Sequence, residues 1–355
     1  MMDPEVSVLL HCAAWSGLLE SQVHVELSER FNRQTDPSLE CQIEALWTDR
    51  VTKEPWLFNG AKFRLHSYCL ASLNGPLLSS VSPEDPPCTD SSKVPSVDCV
   101  ENQQTDRLHS VSQNRSKCTN ETDLEGILPQ TGPILTLRLG ITCYKDYLGT
   151  NWSSRVAELC QIGEVKFSDP LALLSQPLGV GAVLCTVDGQ VVLIRRSQRV
   201  AEAGGLLDIP GGHPEPKVVC ERLGQKVSEE LISVSMMQQK SEAVVSELFS
   251  SVCAEIRDEV NIPLSSLGQP ILMGVALNHT SAGRPSAEFY VRCSITSDEV
   301  RQLYWKGGAE AHESTDIVFL SRTEVLELNS RSPLWSELCP SAKGAVLLFQ
   351  TVKPG

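Results

Sequence analysis

The chain has 355 residues, a hydrophobic content of 41% and a formal net charge of −14, values typical of a globular protein in water. An acidic surface of this size repels the phosphate backbone, so the composition argues against DNA or RNA as a partner. It leaves open a small phosphorylated ligand, because a divalent cation can mediate that contact.

The compartment follows from the sequence's first residues and its cysteines. No apolar run is long enough to span a membrane, and "MMDPEVSVLLHCAAW" has acids where a signal peptide needs basic residues. We therefore expect an intracellular protein, cytoplasmic or nuclear, without a membrane partner. The 13 cysteines are odd in number and widely spaced, so free and mostly buried thiols are expected. The sequence carries no signal of oligomeric state.

The N-terminal part, residues 1–160, is predicted to be a smaller α+β lobe that recognises the substrate. "HVELSERFNRQ" and "ECQIEALWTDRVTK" have helical spacing, and "AKFRLHSYCLASL" alternates like a strand. Residues 71–132 are rich in Ser, Pro, Asp, Asn and Thr and cannot bury enough apolar surface to fold. We expect them to be a disordered insertion. "GPILTLRLGITCYKDYLGTNW" then predicts a strand, a turn and a short helix.

Residues 165–352 have the alternation of an α/β domain. "GVGAVLCTVDGQVVLIRRS" contains two strands joined by the hairpin signal Asp188-Gly189, and "GLLDIPGGHPEP" is a short strand that ends in a Gly-Pro turn. A long polar loop is expected over 217–242. The apolar spacing of "AVVSELFSSVCAEIRDEVNIP" predicts an amphipathic helix that ends near Asn261. Strands in "PILMGVAL", "AEFYVRCSI" and "TDIVFLS" and helices in "TSDEVRQLYW" and "SPLWSELCPSAKGAVLLFQTV" follow.

Three acidic residues of this helix, Glu255, Asp258 and Glu259, share one face because residues three and four apart are neighbours. Like charges at this spacing repel, and the helix dipole disfavours them near the C-terminus. A bound cation would offset both penalties, and hard oxygen ligands suit Mg²⁺ or Mn²⁺. The local alternative is a solvated charged face with Arg257 beside it.

The context of this helix resembles the Nudix hydrolase family, whose box reads G-x5-E-x7-R-E-U-x-E-E-x-G-U with U aliphatic. The segment 211–262 is a degenerate version of that box. Glycines in "PGGHPEP" allow the backbone to approach a ligand closely, as such a loop requires. The matching positions are Glu255, Ile256, Asp258, Glu259, Asn261 and Ile262, with Gly211 or Gly212 as the opening glycine.

Some positions depart from the box. Ala254 stands where the family has Arg, and Ser246 stands where it has the first Glu. Glu247 is one position off and is expected to face elsewhere. The loop between Gly212 and the helix has about thirty residues where the family has five. We therefore expect the metal site to persist and the loop to be held differently.

The resemblance implies a fold and a metal site. The fold is an α/β/α sandwich with a mixed central sheet over 165–352. Glu255 and Glu259 are the implied Mg²⁺ ligands, with Mn²⁺ as the alternative, and Asp258 completes or bridges the site. These three carboxylates form the implied catalytic set. Glu288 and Glu313 are candidates outside the box for the general base.

Further blocks, among them "YKDYLGTNWSS" and "TSAGRPSAEFYV", resemble the branch of the family that hydrolyses UDP-glucose. This resemblance implies hydrolysis of UDP-glucose and UDP-galactose to UMP and the sugar 1-phosphate. Two alternatives remain: a catalytically weak nucleotide-binding module, and a hydrolase of another nucleoside diphosphate derivative such as ADP-ribose. The predicted substrate-binding residues are Phe58 and Tyr144 for the base, Arg196 for phosphate, and Ala201, Asp208, Gly211, Gly212, His213 and Glu215 around the diglycine.

Overall fold

The computed structural model describes residues 3–71, 134–200, 202–310 and 312–355. The strands within these ranges are β1 (Val6–His11), β2 (Val23–Leu27), β3 (Ala61–Leu70), β4 (Leu135–Cys143), β5 (Gly179–Cys185), β6 (Gln190–Arg196), β7 (Leu207–Asp208), β8 (Gly211–Gly212), β9 (Ile271–Asn278), β10 (Arg284–Arg292) and β11 (Ser314–Ser321). The α-helices are α1 (Pro37–Lys53), α2 (Tyr144–Gly149), α3 (Val156–Phe167), α4 (Pro216–Arg222), α5 (Ser241–Val260), α6 (Ser297–Lys306), α7 (Arg322–Glu327) and α8 (Pro340–Val352).

The large sheet has the order β1-β9-β10-β5-β6-β11, with β8 paired to β5 and β7 to β6. It is mixed, since β10 and β5 run parallel and the other pairs run antiparallel. Alternate residues of β5 face opposite cores. Val180 and Ala182 lie in the core that contains Ile256 of α5, whereas Val183 lies in the core that contains Phe349 of α8. The predicted α/β/α sandwich with a mixed sheet is confirmed.

A second sheet of the N-terminal part has the order β2-β4-β3, and α5 packs against β2. The helix predicted in "HVELSERFNRQ" is wrong, because Val23, Val25 and Leu27 alternate as buried residues of a strand. The described residues form one compact unit. β1 belongs to the large sheet, and the boundary expected near residue 160 stays a prediction. The insertion predicted over 71–132 lies outside the described residues, apart from Ala71.

The segment predicted as a long loop, 217–242, is partly folded. It contains most of α4 and two 3-10 helices, Glu229–Leu231 and Val234–Met236. These elements are too short to produce a readable period in the sequence, yet Val219 and Val234 are buried in the α5-side core. The segment therefore packs against the helix that carries the acidic residues.

The helix ends follow local rules. Asn261 ends α5 in the left-handed conformation at φ 63°, which Asn tolerates better than most residues, and its N–H donates to the Arg257 carbonyl at 2.9 Å. Thr296 and Glu299 cap the start of α6 reciprocally, as its sequence predicts. In the described part of the chain no helix is both long and apolar enough to cross a membrane.

Candidate active site

The site begins where the diglycine strand β8 meets α5. Gly211 and Gly212 pair with Gly181 and Val180 of β5. A Cβ atom on Gly211 would lie 2.4 Å from the Val180 carbonyl oxygen, and one on Gly212 would lie 2.0 Å from Oε1 of Glu255. Glycine is therefore required for this approach. The Gly211 N–H donates a 2.9 Å hydrogen bond to Glu259 Oε2, which joins the turn to the helix.

The two glutamates at this junction resist ionisation. Glu259 is 4% exposed, and burial raises the pKa of its carboxyl well above the usual range, despite the Gly211 hydrogen bond. Burial, followed by the nearby charge of Glu310, raises the pKa of Glu255 to about 7, and Lys62 partly opposes this rise. A bound cation would favour the charged form of both carboxylates. The electrostatics of the site therefore suit a metal ion.

The donor set fits Mg²⁺ in its usual protein mode. In the described ranges no group of three or more His, Cys, Asp and Glu side chains is arranged to hold a metal. Mg²⁺ commonly uses one or two carboxylates and completes its shell with waters and substrate phosphates. Glu255 and Glu259 match that open arrangement, and they are the pair expected from the sequence.

Asp258, the third predicted carboxylate, has a different environment. Its side chain forms an ion pair with Arg257 at 2.6 Å between Nη2 and Oδ2. Its backbone carbonyl accepts a 3.0 Å hydrogen bond from the Glu310 N–H, which ties α5 to the acidic loop before β11. The structure thus brings together Glu255 and Glu259 at the diglycine, and the role of Asp258 in the metal site stays a prediction.

A cavity of about 830 Å³ lies beside the diglycine, large enough for a nucleotide-sized ligand. Residues from distant parts of the sequence meet in its wall, because β3, β5, β10 and the loop before β11 all reach it. Of the predicted substrate-binding residues, the wall contains Tyr144, Arg196, Asp208, Gly211, Gly212 and His213.

Two predicted binding residues of the described ranges, Phe58 and Glu215, are not part of this wall. The Phe58 side chain is 68% exposed and lies outside the cavity lining. Glu215 lies next to the cavity, where its carboxylate is 3.3 Å from Lys62 Nζ. Ala201 lies outside the described residues. Contacts of Phe58 and Ala201 with a substrate therefore remain predictions.

Arg196 is held in place by the strands beside it. Its Nη1 donates to Asp208 Oδ2 at 3.0 Å, and its Nε donates to the Glu202 carbonyl at 3.2 Å. Asp208 also accepts from the Ser341 hydroxyl at 3.0 Å, at the start of α8. This network fixes the guanidinium in the cavity wall, and phosphate binding by Arg196 stays a prediction.

Sequence reasoning missed the cations near His213. Burial, with Lys62 and Arg284 nearby, lowers the pKa of His213 well below its usual range, so the imidazole is neutral at pH 7. Arg284 Nη1 lies 3.4 Å from His213 Nε2, and Arg284 Nη2 forms an ion pair with Glu202 at 3.1 Å. The Tyr147 hydroxyl donates to the same Glu202 carboxylate. No local pattern marks Lys62 or Arg284, because β3 also contains Arg64, β10 also contains Arg292, and the sequence does not show which of these side chains reaches the cavity.

The predicted orientation of Glu247 is also wrong. It was expected to face elsewhere, yet it is 3% exposed and accepts a 3.1 Å hydrogen bond from the Glu215 N–H. Its Oε2 is 2.8 Å from Arg222 Nη2 of α4. This pair braces the loop against α5, and it takes over the support that Ala254 and Ser246 cannot provide.

An α/β/α sandwich in which a diglycine strand meets a glutamate pair on α5 is typical of a hydrolase of the Nudix class. No family model matches the chain. It is 44% identical over 99% of its length to the uridine diphosphate glucose pyrophosphatase of Bos taurus, covering 99% of that protein. The corresponding protein of Homo sapiens is 43% identical, with 99% of this chain and 94% of that protein covered. Nudix hydrolase 9 of Arabidopsis thaliana is 32% identical over 94% of this chain and 89% of its own.

The chain therefore belongs to the Nudix hydrolase family, in the group of the uridine diphosphate glucose pyrophosphatases. Enzymes of this family generally depend on a divalent metal ion. Among solved structures, the MutT protein from Methanosarcina mazei Go1 is similar over 50% of this chain and 91% of its own, at 15% identity. The TM-score of 0.28 is too low for any conclusion from that similarity.

Proposed function

We propose that the protein hydrolyses UDP-sugars, UDP-glucose and UDP-galactose, to UMP and the sugar 1-phosphate with Mg²⁺, for which Mn²⁺ can substitute. The observation that carries the proposal is the glutamate pair Glu255 and Glu259 at the diglycine, beside a cavity of about 830 Å³. The substrate comes from the named activity of the mammalian relatives. The acidic chain is compatible with such a substrate because cations line the cavity.

The roles of the residues follow from their positions. Glu255 and Glu259 would hold the metal ion, which would neutralise charge on the diphosphate and make water a better nucleophile. Arg196, Lys62 and Arg284 supply further positive charge in the cavity wall. Hydrolysis adds water across the phosphoanhydride, so one P–O bond breaks as another forms and a proton leaves the water. Glu313, which lines the cavity, is within the region where such a proton acceptor is required.

The N-terminal part supplies recognition in this proposal. Lys62, Tyr144, Tyr147 and Trp152 all line the cavity and all come from the first 160 residues. The Tyr144 ring packs edge-on against Trp47 with centroids 6.3 Å apart, which fixes a flat surface of the kind that a uracil ring can stack on. We assign base recognition to Tyr144, together with Phe58 if the substrate draws that exposed ring inward.

A substrate panel tests the function. The protein is incubated with Mg²⁺ and UDP-glucose, UDP-galactose or ADP-ribose, and the nucleoside monophosphate is quantified. Release of UMP from both UDP-sugars at rates well above the AMP release supports the proposal. Binding of UDP-glucose without turnover would instead identify a nucleotide-binding module, and preference for ADP-ribose would identify a different hydrolase. Glu259→Gln is the negative control.

An intracellular location, cytoplasmic or nuclear, is part of the same proposal. It is supported by the ten cysteines in the described ranges, which are all unpaired thiols, five of them buried. Free thiols suit the reducing compartments of the cell. Fractionation followed by detection of the native protein checks it, and recovery from the medium would contradict it.

A further inference from the structure

Glu288, in the middle of β10, is a buried carboxyl that the proposed reaction leaves unassigned. Its side chain is 0% exposed, and it lines the cavity. Within the described residues neither Glu288 oxygen has a partner at ordinary hydrogen-bond geometry, although the Ser286 hydroxyl lies near enough to lower the pKa of the carboxyl. Its Oε2 lies over Gly181 of β5, 2.5 Å from the position that a Cβ atom on that glycine would take. The missing side chain of Gly181 thus leaves the room that the carboxyl occupies.

A structural role does not account for this group. Buried polar groups in native proteins are almost always hydrogen-bonded, and an unpartnered one costs about 1–3 kcal/mol. A glutamate kept only for packing would be replaced without loss by an apolar residue of the same shape. A fully buried, unpartnered carboxyl in the wall of a cavity is positioned for a ligand to supply the missing partner.

The surroundings of Glu288 indicate which chemical group that ligand presents. Asp208, Ser286 and Ser341 line the same cavity and bring carboxyl and hydroxyl groups to its wall, together with the guanidinium groups of Arg196 and Arg284. Burial raises the pKa of Glu288 to about 8, against the smaller effects of Ser286 and Arg284, and the charge of Asp208 adds to the rise. A carboxyl that keeps its proton can both donate to and accept from a hydroxyl group, and the hydroxyls of a sugar offer the matching donors and acceptors.

We infer that Glu288 is a specificity-determining residue that hydrogen-bonds a hydroxyl group of the substrate, an inference that rests on the proposed function. Two parts of a UDP-sugar carry hydroxyls, the hexose and the ribose, and both present the same chemistry to Glu288.

The experiment compares wild type with Glu288→Leu and Glu288→Gln. We measure KM and kcat for UDP-glucose, inhibition constants for UDP and 2′-deoxy-UDP, and thermal unfolding. Glu288→Leu is expected to raise KM about tenfold, since it removes both hydrogen-bonding atoms. It is expected to unfold at the same or a higher temperature, because an unpartnered polar group is gone. Glu288→Gln keeps one acceptor and one donor and is expected to recover much of the loss.

The two hydroxyl sources give different results. If the hexose is bound, the inhibition constant of UDP stays unchanged in Glu288→Leu. If the ribose is bound, the inhibition constant of UDP rises in Glu288→Leu. If the contact is the 2′-hydroxyl, the inhibition constant of 2′-deoxy-UDP stays the same in Glu288→Leu as in wild type. Asp188→Asn is the matched control, because it neutralises a carboxylate at the far end of β5 and is expected to leave all constants unchanged.

Kinetic and inhibition constants of both Glu288 variants within twofold of wild type would overturn the inference. A lower unfolding temperature of Glu288→Leu with unchanged constants would assign Glu288 a structural role and overturn it as well. If wild type releases no UMP, the proposed function fails, and direct titration of UDP-glucose and UDP into wild type and Glu288→Leu still tests Glu288.

Discussion

Glu259 accepts a 2.9 Å hydrogen bond from the backbone N–H of Gly211, and this single bond joins the last turn of α5 to the diglycine strand. The contact fixes one carboxylate oxygen at the backbone and leaves the other available for a ligand. Because Glu259 is almost fully buried, a mobile carboxylate at the surface cannot take its place. The hydrogen bond therefore couples the geometry of the turn to that of the metal site.

Removing this carboxylate is expected to abolish activity. Glu259→Gln keeps the shape of the side chain but removes a metal ligand, so kcat/KM for UDP-glucose should fall at least about 100-fold. The same change removes a buried carboxyl with a raised pKa, so the metal-free protein should unfold at an equal or higher temperature. Steady-state UMP release and thermal unfolding measure both effects.

Asp258→Asn is the companion variant on the same helix. The Asp258 carboxylate forms an ion pair with Arg257, so the structure predicts a loss in kcat/KM below about tenfold. A loss as large as that of Glu259→Gln would show that Asp258 belongs to the metal site. Normal turnover by Glu259→Gln would show that the metal site has been assigned to the wrong residues.

Alanine substitutions at the two glycines of the diglycine are expected to have different effects on stability and activity. A Cβ on Gly211 meets the Val180 backbone carbonyl, which cannot move aside, so Gly211→Ala should destabilise the protein by about 1–3 kcal/mol. A Cβ on Gly212 meets only the end of the Glu255 side chain. Gly212→Ala should therefore fold with nearly normal stability and lose activity by displacing Glu255. Denaturant unfolding and UMP release separate the two; equal stability losses would contradict the geometry.

Stability without metal should fall as the pH rises. The pKa of Glu288 is about 8 in the folded protein against 4.5 in the unfolded chain, so the folded state holds its proton longer. Its stabilising effect is complete below about pH 4.5 and is lost as the pH rises through 8, by at most about 1.4 kcal/mol per pH unit. Glu255, with a pKa of about 7, acts in the same direction.

The measurement compares unfolding temperatures of wild type and Glu288→Gln across this range with a chelator present. Other acidic residues titrate in both proteins and cancel in the difference. The variant should match wild type near pH 5 and become the more stable one towards pH 8. Added Mg²⁺ should stabilise wild type more at pH 8 than at pH 5, because protons compete for Glu255 and Glu259. A difference in unfolding temperature between the two proteins that does not change with pH would be evidence against the raised pKa of Glu288.

The contributions of Arg222 and Glu247 to stability should depend on each other. Arg222→Met leaves a carboxylate that is 4% exposed without its cation, which should cost about 1–3 kcal/mol, less than a fully buried pair because the arginine is 41% exposed. Glu247→Gln should also loosen the loop and raise KM. A double-mutant cycle in the free energy of unfolding should give a coupling of about 1 kcal/mol, whereas additive effects would mean that the pair does not brace the loop.

The elements that the sequence predicted correctly are those decided by neighbouring residues. The length of α5, its end at Asn261 and the hairpin at Asp188-Gly189 depend on apolar spacing, one cap and one turn. The strand β2 was predicted as a helix because "HVELSERFNRQ" also has apolar residues at helical spacing. Only pairing with β4, more than a hundred residues later, decides between the two structures.

The candidate site also combines features decided by neighbouring residues with features decided by distant parts of the chain. The position of Glu255 and Glu259 beside the diglycine could be expected because one helix turn fixes their spacing and the box pattern names both, and their role as metal ligands stays a prediction. Lys62 and Arg284 could not, since β3 and β10 bring them to the cavity through sheet pairings that leave no local mark. Glu247 was misjudged because its partner, Arg222, lies in a segment whose short helix could not be read from periodicity.

The position of β1 has a consequence for how the chain is made. Val6 pairs with Asn278, so the first strand to be synthesised completes its ladder only with β9. At about 5–20 residues per second, synthesis of the intervening chain takes roughly 14–54 seconds. During that interval the strand "VSVLLH" has no native partner, and such an apolar strand can pair with other chains. The large sheet can therefore close at this edge only after β9 has been made, and until then β1 is open to non-native pairing.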